Sequence, residues 1–407
     1  MYLLPKPKTI KEQDGQMLLC HSTHIVMTKE VAETEMHAAK RLQEAIRQET
    51  GLILPFSVGE VREGDLSLGI AKTLPEQTYE ITIDEKGGQI SGGDGAGVLY
   101  GVETFCQIVQ QCGGILPCVQ IQDAPDMPNR GYYFDQTRGR VLKLEELKKI
   151  ADRMCRYKLN QLQLYVEHTY LFRDFSEMWR DQTPLTAEEI RELDSYCRER
   201  HIELVPSLAS FGHLCTLLST KTYGDLCEME DSWKEPFSFW NRMRYHTINV
   251  SDERSLPLIK KMIAEYMQLF SSNKFNICAD ETFCLGKYKS KKLAEERGVH
   301  RLYIDYVKEL AQFLVENGKI PMFWGDIIWN SPELMKELPE SMICLNWGYA
   351  PEQREDETRA IAQTGAVQYL CPGVCGWNQW ANLIENSYKN ITRMCGYAAK
   401  YHGIGVL

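Results

Sequence analysis

Two rhythms of apolar and polar positions run along this chain, one after the other. Before about residue 124, short alternating runs surround a stretch with helical spacing. EVAETEMHAAKRLQEAIRQETG, Glu30 to Gly51, places its apolar residues on one helical face and stops at a glycine, which predicts a single helix. QTYEITIDEKGGQISGGD alternates about a Gly-Gly pair, predicting a hairpin that turns there. A second helix is predicted near GVLYGVETFCQIVQQ. QDAPDMPNRG, Gln122 to Gly131, has two prolines and few apolar groups and reads as a linker. These elements predict a small N-terminal α/β domain over 1–124.

Beyond the linker the pattern becomes strand, helix, strand, helix. Strand-like runs are GYYFD, QLQLYV, ELVPSLAS, FNICA, KIPMFWGDII, MICLNW, AVQYLC and GIGVL. Helical runs separate them, among them KLEELKKIADRMCRYK and TAEEIRELDSYCRERH, the latter opening on Thr186 with Glu189 three residues on, a capping box. Such alternation predicts a parallel sheet, and eight strands predict a closed (β/α)8 TIM-type barrel over 125–407. A doubly wound open sheet is the alternative, disfavoured because no glycine-rich phosphate loop follows the first strand. The last run is expected to end within strand eight, leaving the backbone edges of strands one and seven unpaired. The stretch from Cys215 to Arg244 is a long insertion after strand three, with Trp233 and Trp240, and long loops on that face line sites.

Composition narrows the function classes. Of the 407 residues 43% are hydrophobic and 25% charged, and the net charge is −10. An acidic chain is a poor partner for nucleic acid or an anionic membrane, so neither is expected. MYLLPKPKTIKEQ has no apolar run suited to a signal peptide, and no spanning segment is seen, so a cytoplasmic location is expected. Fourteen cysteines then read as reduced core residues. Cys371 and Cys375 are the nearest approach to a ligand pair, but no second pair stands at zinc-finger spacing, so no structural metal is expected.

Candidate chemistry collects where the barrel strands end, the face on which such barrels carry their sites. Strand one leads to Asp135 and Arg138, strand two to Glu167 and His168, and strand three to His213. Strand four ends on the adjacent carboxylates Asp280 and Glu281. Strand five leads to Trp324 and Asp326, strand six to Asn346 and Trp347, and strand seven to Trp377, Asn378 and Trp380. Carboxylates, an arginine and flat aromatic faces suit a sugar ring; a phosphate would want more cations. Singly each has a plainer reading: Trp as core, His213 as a packed histidine, Arg138 as a rim ion pair with Asp135, Asp326 as a helix cap. The adjacent pair also bears on mechanism. A retaining glycosidase with a carboxylate nucleophile holds its two carboxyls roughly 5 Å apart on opposite sides of the bond, an arrangement that sequence neighbours reach with difficulty. A substrate supplying its own nucleophile removes that difficulty.

With these motifs the chain resembles family 20 glycoside hydrolases, the β-N-acetylhexosaminidases. RGYYFDQTR is similar to the family's first barrel strand, SFGH to its third and ADETF to its catalytic strand, while FWGDII, LNWGY and CPGVCGWN resemble a bacterial branch. The resemblance implies exo-acting, retaining removal of terminal β-linked N-acetylhexosamine, from a small glycan or glycoconjugate, through an oxazolinium intermediate. It implies Glu281 as general acid and then base, and Asp280 as the group that orients the 2-acetamido substituent. Arg138 would bind sugar hydroxyls, Trp324, Trp347 and Trp377 would wall the pocket, and His213 would support it. Asp326, Asn378 and Glu167 complete the expected binding set, and no metal or cofactor is implied. The chain departs from the family's pattern in LYVEHTY, in Val374 and Cys375, in the lack of a match for a strand-seven tyrosine (Tyr369 lies too early), and in stopping at YHGIGVL, before a Trp-Gly-Asp segment. That last departure implies a fragment of a longer protein, weak in activity and prone to associate. Two other readings stay open: a carbohydrate-binding fragment without turnover, and a metal-dependent barrel hydrolase built on His213, Asp280 and Asp326.

Overall fold

A computed structural model describes residues 1–236, 238–377 and 379–407. The chain folds as two compact units. The first comprises Met1–Asp126 with Lys148–Asn160 and Ser195–Ile202; the second comprises Met127–Leu147, Gln161–Asp194 and Glu203–Leu407.

The first unit holds a seven-stranded mixed sheet, in the order Thr9–Leu18, Ile115–Asp123, Tyr79–Asp84, Gly87–Gly92, Leu66–Ile70, Ile25–Met27, Phe56–Val58. The predicted hairpin is there, but it turns before the Gly-Gly pair, with Asp84 paired to Gly87. Asp84 Oδ1 accepts from the amides of Lys86 and Gly87 at 2.8 and 3.1 Å and so fixes the turn at Glu85-Lys86. Gly87 serves the sheet instead, because a Cβ there would fall 2.7 Å from the Asp65 carbonyl oxygen. The single helix expected from Glu30 to Gly51 is two, Lys29–Thr34 and Met36–Thr50. Glu35 interrupts it at φ −120°, ψ 27°, and its carboxylate meets His201 Nε2 at 2.8 Å. Gly51 ends the second helix in the left-handed conformation, as a stop signal does.

In the second unit eight parallel strands close into a barrel, as the alternation predicted. They are β1 (Asn129–Asp135), β2 (Gln161–Val166), β3 (Glu203–Leu208), β4 (Lys274–Asn276), β5 (Ile320–Trp324), β6 (Ile343–Trp347), β7 (Val367–Cys371) and β8 (Gly405–Val406). The expectation of unpaired edges at β1 and β7 is corrected. Gly405 and Val406 pair with Tyr369 and Leu370 on one side and with Asn129 and Arg130 on the other. Two residues suffice because Gly405 lets the chain lie against the Tyr369 ring, which a Cβ would approach to 2.7 Å. Inside the barrel a polar belt is satisfied by itself: Asn276 donates to Gln163, Gln163 to Gln161, and Gln161 to the Tyr369 hydroxyl, at 3.0, 3.2 and 3.4 Å. The Thr186 capping box forms in both directions, Thr186 N to Glu189 Oε2 and Glu189 N to Thr186 Oγ1, at 2.9 and 3.2 Å.

The insertion after β3 folds into short helical turns, the α-helical ones being Cys215–Leu218 and Phe239–Arg244 among the described residues. It is pinned by the fully buried Glu228, which accepts from Ser290 N and Oγ at 3.0 and 2.7 Å. No helix among the described residues is long and apolar enough to cross a membrane.

Candidate active site

The ladder of β4 ends at Asn276, whose Oδ1 accepts from the Cys278 amide at 2.9 Å. Cys278, Ala279 and Glu281 then turn to φ 58°, 63° and 48°. Left-handed backbone costs a non-glycine residue about 1–2 kcal/mol, so the turn needs support. Its effect is geometric. Neighbours in a strand point to opposite faces, yet here Asp280 Oδ2 and Glu281 Oε2 stand 3.3 and 3.2 Å from the same atom, His213 Nε2. Neither ring nitrogen has a hydrogen-bond partner among the described residues, so these are contacts of charge. In SFGH, Gly212 admits the turn, since a Cβ there would sit 2.4 Å from the Asp280 carbonyl oxygen.

Charge follows from that geometry. Burial pushes the His213 imidazole down, but the Asp280 carboxylate, with Glu281 and Glu167, outweighs it and the ring is pushed up to about 10. Burial pushes Asp280 up, and the charge of His213 overcomes it, so Asp280 lies below the usual carboxylate range. Asp326 goes the other way, to about 7, through burial first and then the charge of Asp280. The Glu281 amide donates to Asp326 Oδ2 at 3.0 Å, so Asp326 braces the turn and does not cap a helix. Its Oδ1 is buried with no partner among the described residues. Ligand atoms of His213, Asp280 and Glu281 lie within 4.8 Å of one another, close enough for one cation. A protonated imidazole offers no lone pair to it.

A second group faces β1 and β2. Asp135 Oδ2 accepts from Arg138 Nε at 2.7 Å, while Oδ1 takes the amides of Thr137 and Arg138 at 2.9 and 2.8 Å. The Arg138 guanidinium lies 4.6 Å from the Tyr165 ring centroid. Glu167, buried, accepts from the Tyr165 hydroxyl at 2.9 Å and from Arg242 Nη2 at 3.0 Å. Burial pushes Glu167 up, but Arg242 and Arg138 hold it below the usual range. His168 is buried beside Glu167, 3.9 Å away, and burial pushes its imidazole down.

The aromatics do not all play one part. Trp324 is 7% exposed and meets the Tyr133 ring edge-on at 4.9 Å, within the barrel mouth. Trp347 stacks on Tyr349 at 4.9 Å, and Tyr349 meets Trp377 at 4.3 Å. Gly373 makes that row possible, because a Cβ would be 2.6 Å from both the Tyr349 and Trp377 rings. Asn390, fully buried, holds the two loops: it accepts from Gly373 N at 2.9 Å and donates to the carbonyls of Gly348 and Ala350 at 3.0 and 2.8 Å. Asn346 stays in the interior, donating to Thr358 Oγ1 at 3.2 Å. Trp380 is fully exposed. Asn378 lies outside the described residues.

Sequence reasoning passed over Arg242, Tyr349 and Asn390. Tyr349 was within reach, two places after Trp347 in LNWGY. Arg242 sits in the insertion and Asn390 in a helix, and nothing local marks either.

Residues 1–124 match Glycosyl hydrolase family 20, domain 2, and residues 128–402 match Glycosyl hydrolase family 20, catalytic domain. The chain belongs to glycosyl hydrolase family 20. The resemblance read from the motifs is thereby borne out. Among relatives, a beta-hexosaminidase of Porphyromonas gingivalis is 24% identical over 92% of this chain and 50% of its own length. One from Vibrio furnissii is 26% identical over 69% of this chain and 48% of its own. The chain thus spans about half the length of these curated relatives. Among solved structures, Streptomyces plicatus N-acetyl-beta-hexosaminidase superposes with a TM-score of 0.80 at 19% identity, covering 99% of this chain and 84% of that one. The beta-N-acetylhexosaminidase of Bacteroides fragilis gives 0.74 at 18% identity, over 93% and 78%. At these identities the two structures speak for a shared fold.

Proposed function

We propose that this chain is an exo-acting, retaining β-N-acetylhexosaminidase using the substrate's acetamido group as nucleophile. The observation that carries the reading is the convergence of Asp280 and Glu281 on His213 Nε2 at a barrel mouth lined by Arg138 and the Trp347–Tyr349–Trp377 row. Glu281 gives its proton to the glycosidic oxygen as the C1–O bond breaks. The acetamido carbonyl oxygen closes on C1, and the resulting oxazolinium N–H is stabilised by the Asp280 carboxylate, kept ionised by His213. Glu281 then takes a proton from the water that opens the ring at C1, so two inversions retain configuration. Two carboxylates drawn to one nitrogen suit this division better than an acid and a nucleophile facing each other across a sugar.

Arg138 binds ring hydroxyls, Glu167 and Asp326 hold the two sides of the pocket, and Trp324, Trp347 and Trp377 belong to its wall, with Tyr349 added. A small glycan or glycoconjugate ending in N-acetylhexosamine is the partner; the acidic net charge of −10 speaks against nucleic acid and anionic membrane. All fourteen cysteines are free, which suits a reducing, cytoplasmic compartment. The test is a panel of aryl β-glycosides. N-acetylglucosaminide and N-acetylgalactosaminide should be hydrolysed, and the glucoside lacking the acetamido group should not. Equal turnover of the glucoside, or a sugar ester trapped on Asp280 or Glu281, would refute the mechanism. Binding without release would favour the carbohydrate-binding reading.

A further inference from the structure

We propose that Tyr303, on the helix Val299–Glu316 between β4 and β5, is a positioning residue that aims the Asp280 carboxylate by holding the carbonyl of Ala279. The inference rests on the reading above, in which Asp280 stabilises the oxazolinium, and adds a residue that sets its direction.

Main-chain bonding between β4 and β5 reaches Cys278, whose carbonyl accepts from Trp324 N at 2.9 Å. The next carbonyl, that of Ala279, accepts from the Tyr303 hydroxyl at 3.0 Å. On the other side of Asp280, the Glu281 amide donates to Asp326 Oδ2 at 3.0 Å. A peptide unit is a rigid plane. The two planes that flank Asp280 are therefore each held by a side chain, and holding both fixes the direction in which its Cβ leaves the backbone. Tyr303 does for the first plane what Asp326 does for the second. Ala279 itself stands at φ 63°, a conformation that persists only with support from outside the turn.

The same helix also reaches the loop of His213. The Tyr303 ring stacks on Phe211 with centroids 5.6 Å apart and planes 13° from parallel. One turn on, and so on the same helical face, the Tyr306 hydroxyl donates to the Ser210 carbonyl at 3.0 Å. The other buried positions of this helix are leucine, isoleucine, valine or alanine. Packing alone would be served by a ring without an oxygen, because a buried hydroxyl costs stability unless it is bonded. Burial, followed by the charges of Asp326 and Asp280, pushes the Tyr303 phenol well above its ordinary value, so it stays a donor wherever the enzyme works.

The experiment removes one oxygen from the full chain. Tyr303→Phe keeps the ring and its stack on Phe211 and deletes only the donor to Ala279. On an aryl β-N-acetylglucosaminide, kcat should fall about tenfold with KM changed less than about twofold, as loss of an interaction made in the transition state does. By imidazole NMR, His213 should lose its proton at a lower pH than in the wild type, because Asp280 turns away from it. Tyr306→Phe deletes a second hydroxyl from the same helix, one that holds neither plane flanking Asp280. It should lower the melting temperature to a similar extent and leave kcat within about twofold. Equal losses of kcat in the two variants, or wild-type kcat and His213 titration in Tyr303→Phe, overturn the assignment. If the wild-type chain hydrolyses nothing, the reading under Proposed function fails separately, and the titration decides alone. A downward move confined to Tyr303→Phe then supports the assignment, and any other result overturns it.

Discussion

His213 Nε2 stands 3.3 Å from Asp280 Oδ2, a buried cation against an anion that is partly open to solvent. The same nitrogen reaches Glu281 Oε2 at 3.2 Å. Loss of its proton would leave the Asp280 carboxylate without that cation.

The His213 ring, pushed up to about 10 in the folded chain, has an ordinary value near 6.5. A raised value means that the folded state holds the proton more tightly. The stabilisation is therefore complete below about pH 6.5 and is lost as pH rises through about 10, with an upper figure of about 5 kcal/mol. His213→Gln should remove most of this slope. Urea midpoints of wild type and variant at pH 6, 8 and 10 should converge as the pH rises; parallel curves would refute the assignment.

Asp326 titrates near 7 instead of near 3.8 because it is buried against Asp280. Its contribution is present below about pH 4 and is lost as pH rises through about 7, where a charge must form in a dry place. Asp326→Asn keeps an acceptor for the Glu281 amide and removes that charge. The variant should melt with the wild type near pH 4 and above it at pH 8. A lower melting temperature at pH 8 would show that the charge itself is needed to hold the turn.

Glu281→Gln tests the acid directly. Turnover of substrates with poor leaving groups should fall roughly 10²-fold or more. Substrates whose leaving group is already acidic should lose much less, because they need no proton. Equal losses on both would remove Glu281 from that role.

Glu167 lies between Arg242 and Arg138, at 3.0 and 3.9 Å. Arg242→Met leaves a buried carboxylate short of one partner, a change of about 3–5 kcal/mol for an isolated buried pair and less where a second arginine remains. Arg138 should be drawn towards Glu167, raising KM about tenfold or less. Adding Glu167→Gln should recover part of the stability, since removing both partners costs less than removing one. A double variant less stable than the sum of the singles would contradict this.

Several features were legible in the residues alone. Apolar runs on short and long periods dictated strands and helices in alternation, because a strand buried on both faces is built mostly from apolar residues. The Thr186 box and the Gly51 stop act through hydrogen bonds and backbone angles within a few residues, so sequence determined them. The pair Asp280-Glu281 was visible because an apolar run ended on it. Contacts between distant residues were not. Whether those carboxylates diverge or converge depends on three left-handed residues, held by Gly212 and by Asp326 from the loop after β5. The hairpin turn moved off Gly-Gly because Gly87 is needed against Asp65, a neighbour 22 positions back in the chain. Arg242 gains its meaning only from Glu167, and Asn390 only from two loops that it holds together. Local chemistry therefore settled the elements and the candidate acids. The tertiary structure decided their charges, since a pKa depends on burial and on partners that arrive from elsewhere in the chain.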